Sequence, residues 1–275
     1  MAICRDLYDG EKRKRVLAYM SIILSVVPIT APSIGSLFLK FADWRFIFLA
    51  QALLVTFTFI LTFGYTDTLR EKLSGNIFHI FRRYKNLILN KGYILANSVM
   101  GLLAGPFFGY LAFSPIVYIQ IYHLDTSMFG LLFAINAVMA MLGAFICTRL
   151  IRKLSDNLII TFGIAGCVIS AAGITLLGST HYILFAAFMS TFTFCSGLTR
   201  PLSTHFILTQ VKTDIGSASG FIVFYTFVVG STCMAITTAN WQNPILAFGL
   251  IAFFLPLVVL LMWPVLLNII RNQNN

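Results

Sequence analysis

Charged residues are scarce in this 275-residue sequence, because Asp, Glu, Lys and Arg together make up 10% of it while 59% is hydrophobic. Soluble globular domains carry about a quarter charged residues, so this composition excludes that class. The nine acidic residues all fall outside the long apolar runs. These runs therefore lack the intramembrane carboxylate on which proton coupling usually depends.

Cysteine and histidine are too few and too scattered to suggest a metal site. The cysteines form no CxxC pair and have no metal-ligand spacing, which predicts reduced, packed thiols. His181 and His205 are isolated from one another and from the cysteines. We expect neither a metal ion nor a cofactor.

Catalytic constellations are also missing. A membrane enzyme, which is the alternative from another functional class, needs acids, bases or ligands that converge within the bundle. The apolar runs contain no paired Asp motif, no HExxH and no Ser at working distance from Lys or His. The sequence therefore predicts a protein that is not an enzyme.

Long apolar runs are abundant. A bilayer core of about 30 Å needs roughly 20 mainly apolar residues per helix. Eight runs meet this requirement, at 16–39, 46–65, 93–121, 129–148, 157–177, 182–199, 215–238 and 244–267. A membrane barrel would instead show segments of about ten residues that alternate in polarity. The predicted fold is all-α, a polytopic membrane helix bundle with about eight transmembrane helices.

Lys and Arg are concentrated in alternate loops. They cluster at 5–15, 70–91 and 149–153, whereas only Lys40 and Arg45 fall on the opposite side. Basic loops stay in the cytoplasm, so we predict that both termini are cytoplasmic in a bacterial inner membrane. Topology explains the net charge of +10 better than nucleic acid does, because no basic face is interleaved with base-stacking aromatics.

Residues 67–91 form the only long run that is not continuously apolar. Its apolar residues from Ile77 to Ile88 follow helical spacing, and Arg82, Arg83 and Lys85 face the other way. This pattern predicts an amphipathic basic helix in the headgroup region of the lipid bilayer. A basic helix of a soluble domain is the alternative.

Several short motifs occur in a fixed order along the chain. Residues 31–36 read Ala-Pro-Ser-Ile-Gly-Ser, close to the pattern Gly-Pro-x-x-Gly-Gly, with Ala31 and Ser36 in place of the outer glycines. The others are Arg5-Asp6-Leu7-Tyr8, Trp44-Arg45-Phe-Ile-Phe48, Tyr110-Leu-Ala-Phe-Ser114-Pro115, Phe129-Gly130 to Asn136-Ala137, and Gly216-Ser-Ala-Ser-Gly220. In these motifs the chain resembles the Bcr/CflA-type multidrug exporters of the major facilitator superfamily, which are drug:proton antiporters.

The resemblance implies a division of the chain. Residues 1–66 would match the end of helix 4 and helices 5 and 6, residues 67–92 would be the cytoplasmic connecting loop with its amphipathic helix, and residues 93–275 would be the C-terminal six-helix half. The first three helices and most of the fourth are then missing, together with the acidic residues and the arginine that couple protons in related exporters.

The expected function is secondary active transport that resembles proton-coupled multidrug efflux, in a truncated and inactive form if the chain is complete as given. The partners implied are a drug-like or amphipathic small molecule, protons and the missing N-terminal helices. The alternative is a non-transporting membrane fragment with a structural or regulatory role.

The resemblance also implies a substrate cavity near the bilayer midplane, between the two halves. Drug pockets combine aromatic faces with a few neutral polar groups, and the candidates on the relevant runs are Tyr110, Ser114, Asn136 and Phe194. Each has an alternative: Tyr110 as an interface tyrosine, Asn136 as a hydrogen-bonding link between helices, and Phe194 facing lipid.

Arg200 is the only cation near the interior of a predicted span. It is a further candidate for the cavity, and the alternative is an anchor that snorkels to the headgroups from the end of its helix. We assign Pro28, Pro32, Gly35 and Ser36 to helix packing and bending.

Overall fold

The computed structural model describes residues 35, 38, 41, 43–64, 77–211 and 215–274. All the regular secondary structure in these ranges is helical, which confirms the all-α prediction. The chain divides into two units, Met1–Ser74 and Gly75–Asn275. Pro28, Pro32, Ser36 and most of the predicted span at 16–39 lie outside the described residues, while Gly35 is helical.

In the first unit, helix α1 spans Trp44–Thr62. Its N-terminus is capped by Asp43, whose carboxylate accepts a hydrogen bond from the Trp44 backbone N–H at 2.7 Å and pairs with Arg45 at 2.9 Å. The Arg45 guanidinium also lies 4.8 Å from the centre of the Trp44 ring. No residue of α1 is buried, and an apolar surface on all sides is typical of a membrane span.

The second unit contains helices α2 to α9, which span Ile77–Leu89, Lys91–Gly101, Gly105–Pro115, Thr126–Leu150, Asp156–Leu177, Tyr182–Thr209, Ile215–Thr237 and Pro244–Asn274. Seven helical stretches among the described residues, α1 included, are long and apolar enough to cross a membrane. They coincide with the seven predicted runs from 46 onward. Helix α7 packs against α5 and α6, α9 packs against α6, and α8 packs against α4.

The span Lys91–Ile121 is a broken helix made of α3, a 3₁₀ turn at Leu102–Ala104, α4, and a π-helical segment at Ile116–Ile121. Both breaks lie beside prolines, which lack the N–H group that would bond four residues back. Before Pro106 the chain tightens, so that the Gly105 N–H reaches the Leu102 carbonyl. At Pro115 the Ser114 hydroxyl donates to the Leu111 carbonyl at 3.4 Å. Ser114 thus partly replaces the bond that Pro115 removes.

Helix α7 is longer than the sequence predicted. The apolar run counted in the sequence ends at Thr199, whereas the helix continues through Pro201 to Thr209. The hydroxyls of Ser203 and Thr204 donate to carbonyls one turn back, at 3.0 Å each, and so do not interrupt the helix. Arg200 consequently lies about 13 Å before the end of α7, at a rise of about 1.5 Å per residue.

Two glycines bring α5 and α7 into backbone contact. A Cβ atom on Gly143 would collide with the carbonyl oxygen of Phe194, and one on Gly197 would collide with the carbonyl oxygen of Ala140. The contact is therefore reciprocal, with each helix supplying a glycine to the backbone of the other. Small residues at such positions let membrane helices approach closely, and this approach fixes the wall of the cavity described below.

Candidate substrate cavity

In the second unit, α3, α4, α5, α7 and α8 surround a cavity of about 120 Å³ that is open on one side. The cavity lies in the half of the bundle nearer to α2, because its wall uses the first part of the α3–α4 span, the last part of α7 and the first part of α8.

The cavity wall is mainly apolar with a few polar groups. Phe107 and Phe108 supply aromatic surface, with their rings edge to face at 5.8 Å. Polar groups come chiefly from α7, which contributes Thr193, Ser196, Thr199, Arg200, Ser203 and Thr204. Gly197 also lies on this wall. Its carbonyl receives no helical hydrogen bond from position 201, because Pro201 lacks the backbone N–H. A backbone carbonyl freed inside a membrane span is tolerated where it faces a cavity.

Among the described residues that line this wall, Arg200 is the only one with a permanent charge, and it is exposed. In the described part of the second unit, the only carboxylate within a span is Asp156, the first residue of α6. The wall is therefore electropositive.

A buried polar network lies directly behind the wall. The Asn136 amide nitrogen donates to the Tyr110 hydroxyl at 3.0 Å, and the Thr193 hydroxyl lies 3.1 Å from the Asn136 amide oxygen. All three side chains are almost fully buried. They link α4, α5 and α7, and Thr193 also lines the cavity. The network holds in place the three spans that form one side of the site.

An aromatic cluster fills the other half of the bundle, beyond the network. Phe113 stacks on Phe248 at 5.2 Å, and Tyr118 meets Phe185 edge to face at 5.6 Å, all fully buried. The Tyr122 hydroxyl donates to the carbonyl of Gly178 at the loop end of this half. The cluster occupies the space between the cavity and the loop that joins the α3–α4 span to α5.

The structure brings together some of the residues singled out from the sequence. Tyr110 and Asn136 share a hydrogen bond, and Arg200 lines the cavity. Ser114 is buried at the proline break, and Phe194 is half-buried on α7, where its carbonyl contacts Gly143. Of these five residues only Arg200 lines the cavity, and Tyr110, Asn136, Ser114 and Phe194 do not.

The hydroxyl residues of the wall were not predicted. Their signal was present, because Thr193, Ser196, Thr199 and Ser203 recur three or four residues apart, the spacing of one helical face. The assumed helix end at Thr199 concealed the second half of that face. Among the described residues, no group of three His, Cys, Asp or Glu side chains could hold a metal ion.

Comparison with known proteins identifies the family. Residues 1–234 match the model of the Major Facilitator Superfamily. The chain belongs to this superfamily. Together with its apolar helices, this membership makes it an integral membrane protein of a transporter family.

Individual relatives within the major facilitator superfamily are distant. The chain is 24% identical over 259 residues to the uncharacterized MFS-type transporter YdgK of Bacillus subtilis, covering 92% of this chain and 64% of that protein. It is 26% identical over 226 residues to the multidrug transporter MdfA of Yersinia pestis, covering 78% of this chain and 55% of that protein. A bicyclomycin resistance protein homolog of Haemophilus influenzae is 27% identical over 172 residues, covering 60% of this chain and 42% of that protein. The chain thus spans less than two thirds of each of these relatives.

Proposed function

We propose that the chain forms the substrate-binding wall of a multidrug exporter of the Bcr/CflA type, with residues 93–275 as its C-terminal six-helix half. The observation that carries this proposal is the cavity, in which Phe107, Phe108 and a few hydroxyls line a space between spans. Such walls bind drug-like molecules by apolar contact with sparse hydrogen bonding. Relatives named as a multidrug transporter and a bicyclomycin resistance homolog support the same substrate class.

In this proposal, proton coupling depends on residues other than those of the described spans of the second unit. Transporters of this superfamily rock one half against the other around a site at the repeat interface. A carboxylate that changes charge within the membrane normally drives such coupling, and the cavity wall described above has none. Since the chain spans less than two thirds of its longer relatives, we propose that helices of the kind that precede the matched region in them complete the transport cycle.

We expect that the 275-residue polypeptide, expressed alone in a drug-hypersensitive bacterium, does not lower the accumulation of chloramphenicol, a neutral drug, below that of cells with empty vector. Full-length MdfA serves as the positive control. Co-expression with the four N-terminal spans of MdfA should yield a complex on affinity purification and proton-dependent efflux. Efflux by the 275 residues alone would overturn the requirement for further helices. Association without efflux would favour the alternative of a structural or regulatory fragment.

The orientation follows from the basic loops, and we propose that α2 lies on the cytoplasmic side. Single cysteines at Lys85 and Ser179, both exposed, test this in a background without the native cysteines. We expect a membrane-impermeant maleimide to label Ser179→Cys in intact cells and Lys85→Cys only after permeabilisation. Labelling in the opposite order would invert the topology and overturn the proposed orientation.

A further inference from the structure

Arg200 lies well inside its helix and faces the cavity. Helix α7 begins at Tyr182, so Arg200 lies about 27 Å from one helix end and about 13 Å from the other, at about 1.5 Å per residue. A charged side chain within a membrane span normally faces a partner or a water-filled space. The side chain of Arg200 is exposed and lines the cavity.

Nothing within the described residues neutralises this charge. In the described part of the second unit no carboxylate pairs with Arg200, and the ion pair of Arg45 with Asp43 belongs to the first unit. No described oxygen accepts a hydrogen bond from the Arg200 guanidinium. The five N–H donors of the guanidinium are therefore available to a ligand in the cavity.

The hydroxyls around Arg200 already donate to their own helix. Thr199 donates to the carbonyl of Ser196, Ser203 to that of Thr199, and Thr204 to that of Arg200, each at 3.0 Å. These neighbours are neutral and leave the positive potential of the guanidinium unopposed. Low-dielectric walls around a single charge concentrate its field in a cleft.

We propose that the cavity binds amphipathic anions, with a carboxylate, sulfonate or phosphate group at Arg200 and the apolar body against Phe107 and Phe108. The guanidinium fork matches these oxyanions in a bidentate geometry. A lipophilic cation would find no carboxylate on this wall and would face Arg200 instead. The proposal rests on the proposed role of the cavity as a substrate site, but it concerns binding and needs no transport.

Two probes that differ only in the head group test this inference. The 275-residue protein in phosphatidylcholine nanodiscs is titrated with a dansyl-labelled undecanoate and with the matching dansyl-labelled undecyl trimethylammonium, and empty nanodiscs correct for partitioning. We expect the carboxylate probe to bind about tenfold more tightly, the factor that one hydrogen bond to a charged group supplies. Arg200→Gln should abolish this preference, whereas Arg200→Lys should retain part of it.

Arg149→Gln is the matched control. Arg149 is also an exposed arginine within a span, but it lies over the ring of Phe145 near the end of α5 and away from the cavity. Its loss should leave the preference for the anion unchanged. Equal affinity for the two probes in the native protein would overturn the proposal, as would a preference that survives Arg200→Gln in a protein that remains monodisperse.

The anionic group could come from a soluble amphiphile or from a phospholipid headgroup, and the lipid composition separates these sources. The occupant is a lipid headgroup if phosphatidylglycerol in the nanodisc weakens binding of the carboxylate probe to the native protein but not to Arg200→Gln. If phosphatidylglycerol has no effect, the site selects the soluble anion. Both results support an anion site at Arg200. If co-expression with the N-terminal spans gives no efflux while the protein still binds the anion, the transport proposal fails and the anion site stands.

Discussion

Replacing Gly197 with valine is expected to lower the free energy of unfolding by at least about 3 kcal/mol, the upper end of the cost of overpacking. A Cβ atom at this position collides with the carbonyl oxygen of Ala140, and the carbonyl carbon and Cα of that residue are also within 3.1 Å. These are backbone atoms, so no side-chain rotation can relieve the clash. The helices α5 and α7 must separate, which would shift Arg200 and Thr193 as well.

The sign of the effect distinguishes this clash from a general effect of glycine. In an unconstrained helix, Gly→Ala stabilises by about 1 kcal/mol because glycine is a poor helix former. Gly130 is helical and has no atom within 4 Å of the position of a Cβ, so Gly130→Ala should stabilise. Gly197→Ala should instead destabilise. Unfolding in mixed micelles of increasing SDS content measures both, and equal effects at the two glycines would contradict the close contact of α5 and α7.

The existence and number of spans were predictable because the bilayer imposes a minimum length. A run of about 20 apolar residues has few alternatives to a membrane helix, and the seven described spans appear where such runs were counted. The helix ends were less predictable, since apolar residues do not mark them. Helix α5 begins at Thr126 rather than at Phe129, because the Asp125 carboxylate accepts a hydrogen bond from the Met128 N–H at 3.2 Å.

The proline at position 201 shows a second limit of sequence reading. A proline within a helical pattern usually ends or kinks the helix, and the apolar run at 182–199 stops two residues before Pro201. Helix α7 nevertheless continues through Pro201, and Gly197, whose carbonyl Pro201 cannot bond, is one of the residues that line the cavity. Only the tertiary arrangement shows that cavity, and with it the position of Arg200 inside the span.

The buried network shows why hydrogen-bond partners could not be assigned from the sequence. Asn136 and Tyr110 were recognised separately, as polar residues in apolar runs, but their hydrogen bond joins residues 26 positions apart. Thr193 was not recognised because α7 also carries Thr191, which looks equivalent in the sequence. Thr191 is exposed and donates only to the carbonyl of Ala187, whereas Thr193 is 1% exposed and reaches Asn136. Packing alone distinguishes the two threonines.

Asn136→Leu should therefore lower the free energy of unfolding by about 2 kcal/mol, within the range for a buried polar group that loses its partner. Leucine fills a similar volume but leaves the Tyr110 hydroxyl without the donor that lies 3.0 Å away. Thr193→Val removes the other side of the network and should cost about 1 kcal/mol. Thr191→Val, at an exposed position on the same helix, should change stability by less than about 0.5 kcal/mol.

The double variant Asn136→Leu with Thr193→Val tests whether the two residues act as one network. If they do, the combined loss should be smaller than the sum of the single losses by about 0.6 kcal/mol, the average for hydrogen bonds between membrane helices. Strict additivity, measured by SDS unfolding of all four proteins, would show that each side chain acts alone. Comparable losses for Thr191→Val and Thr193→Val would contradict the placement of the network behind the cavity wall, because only Thr193 contacts Asn136.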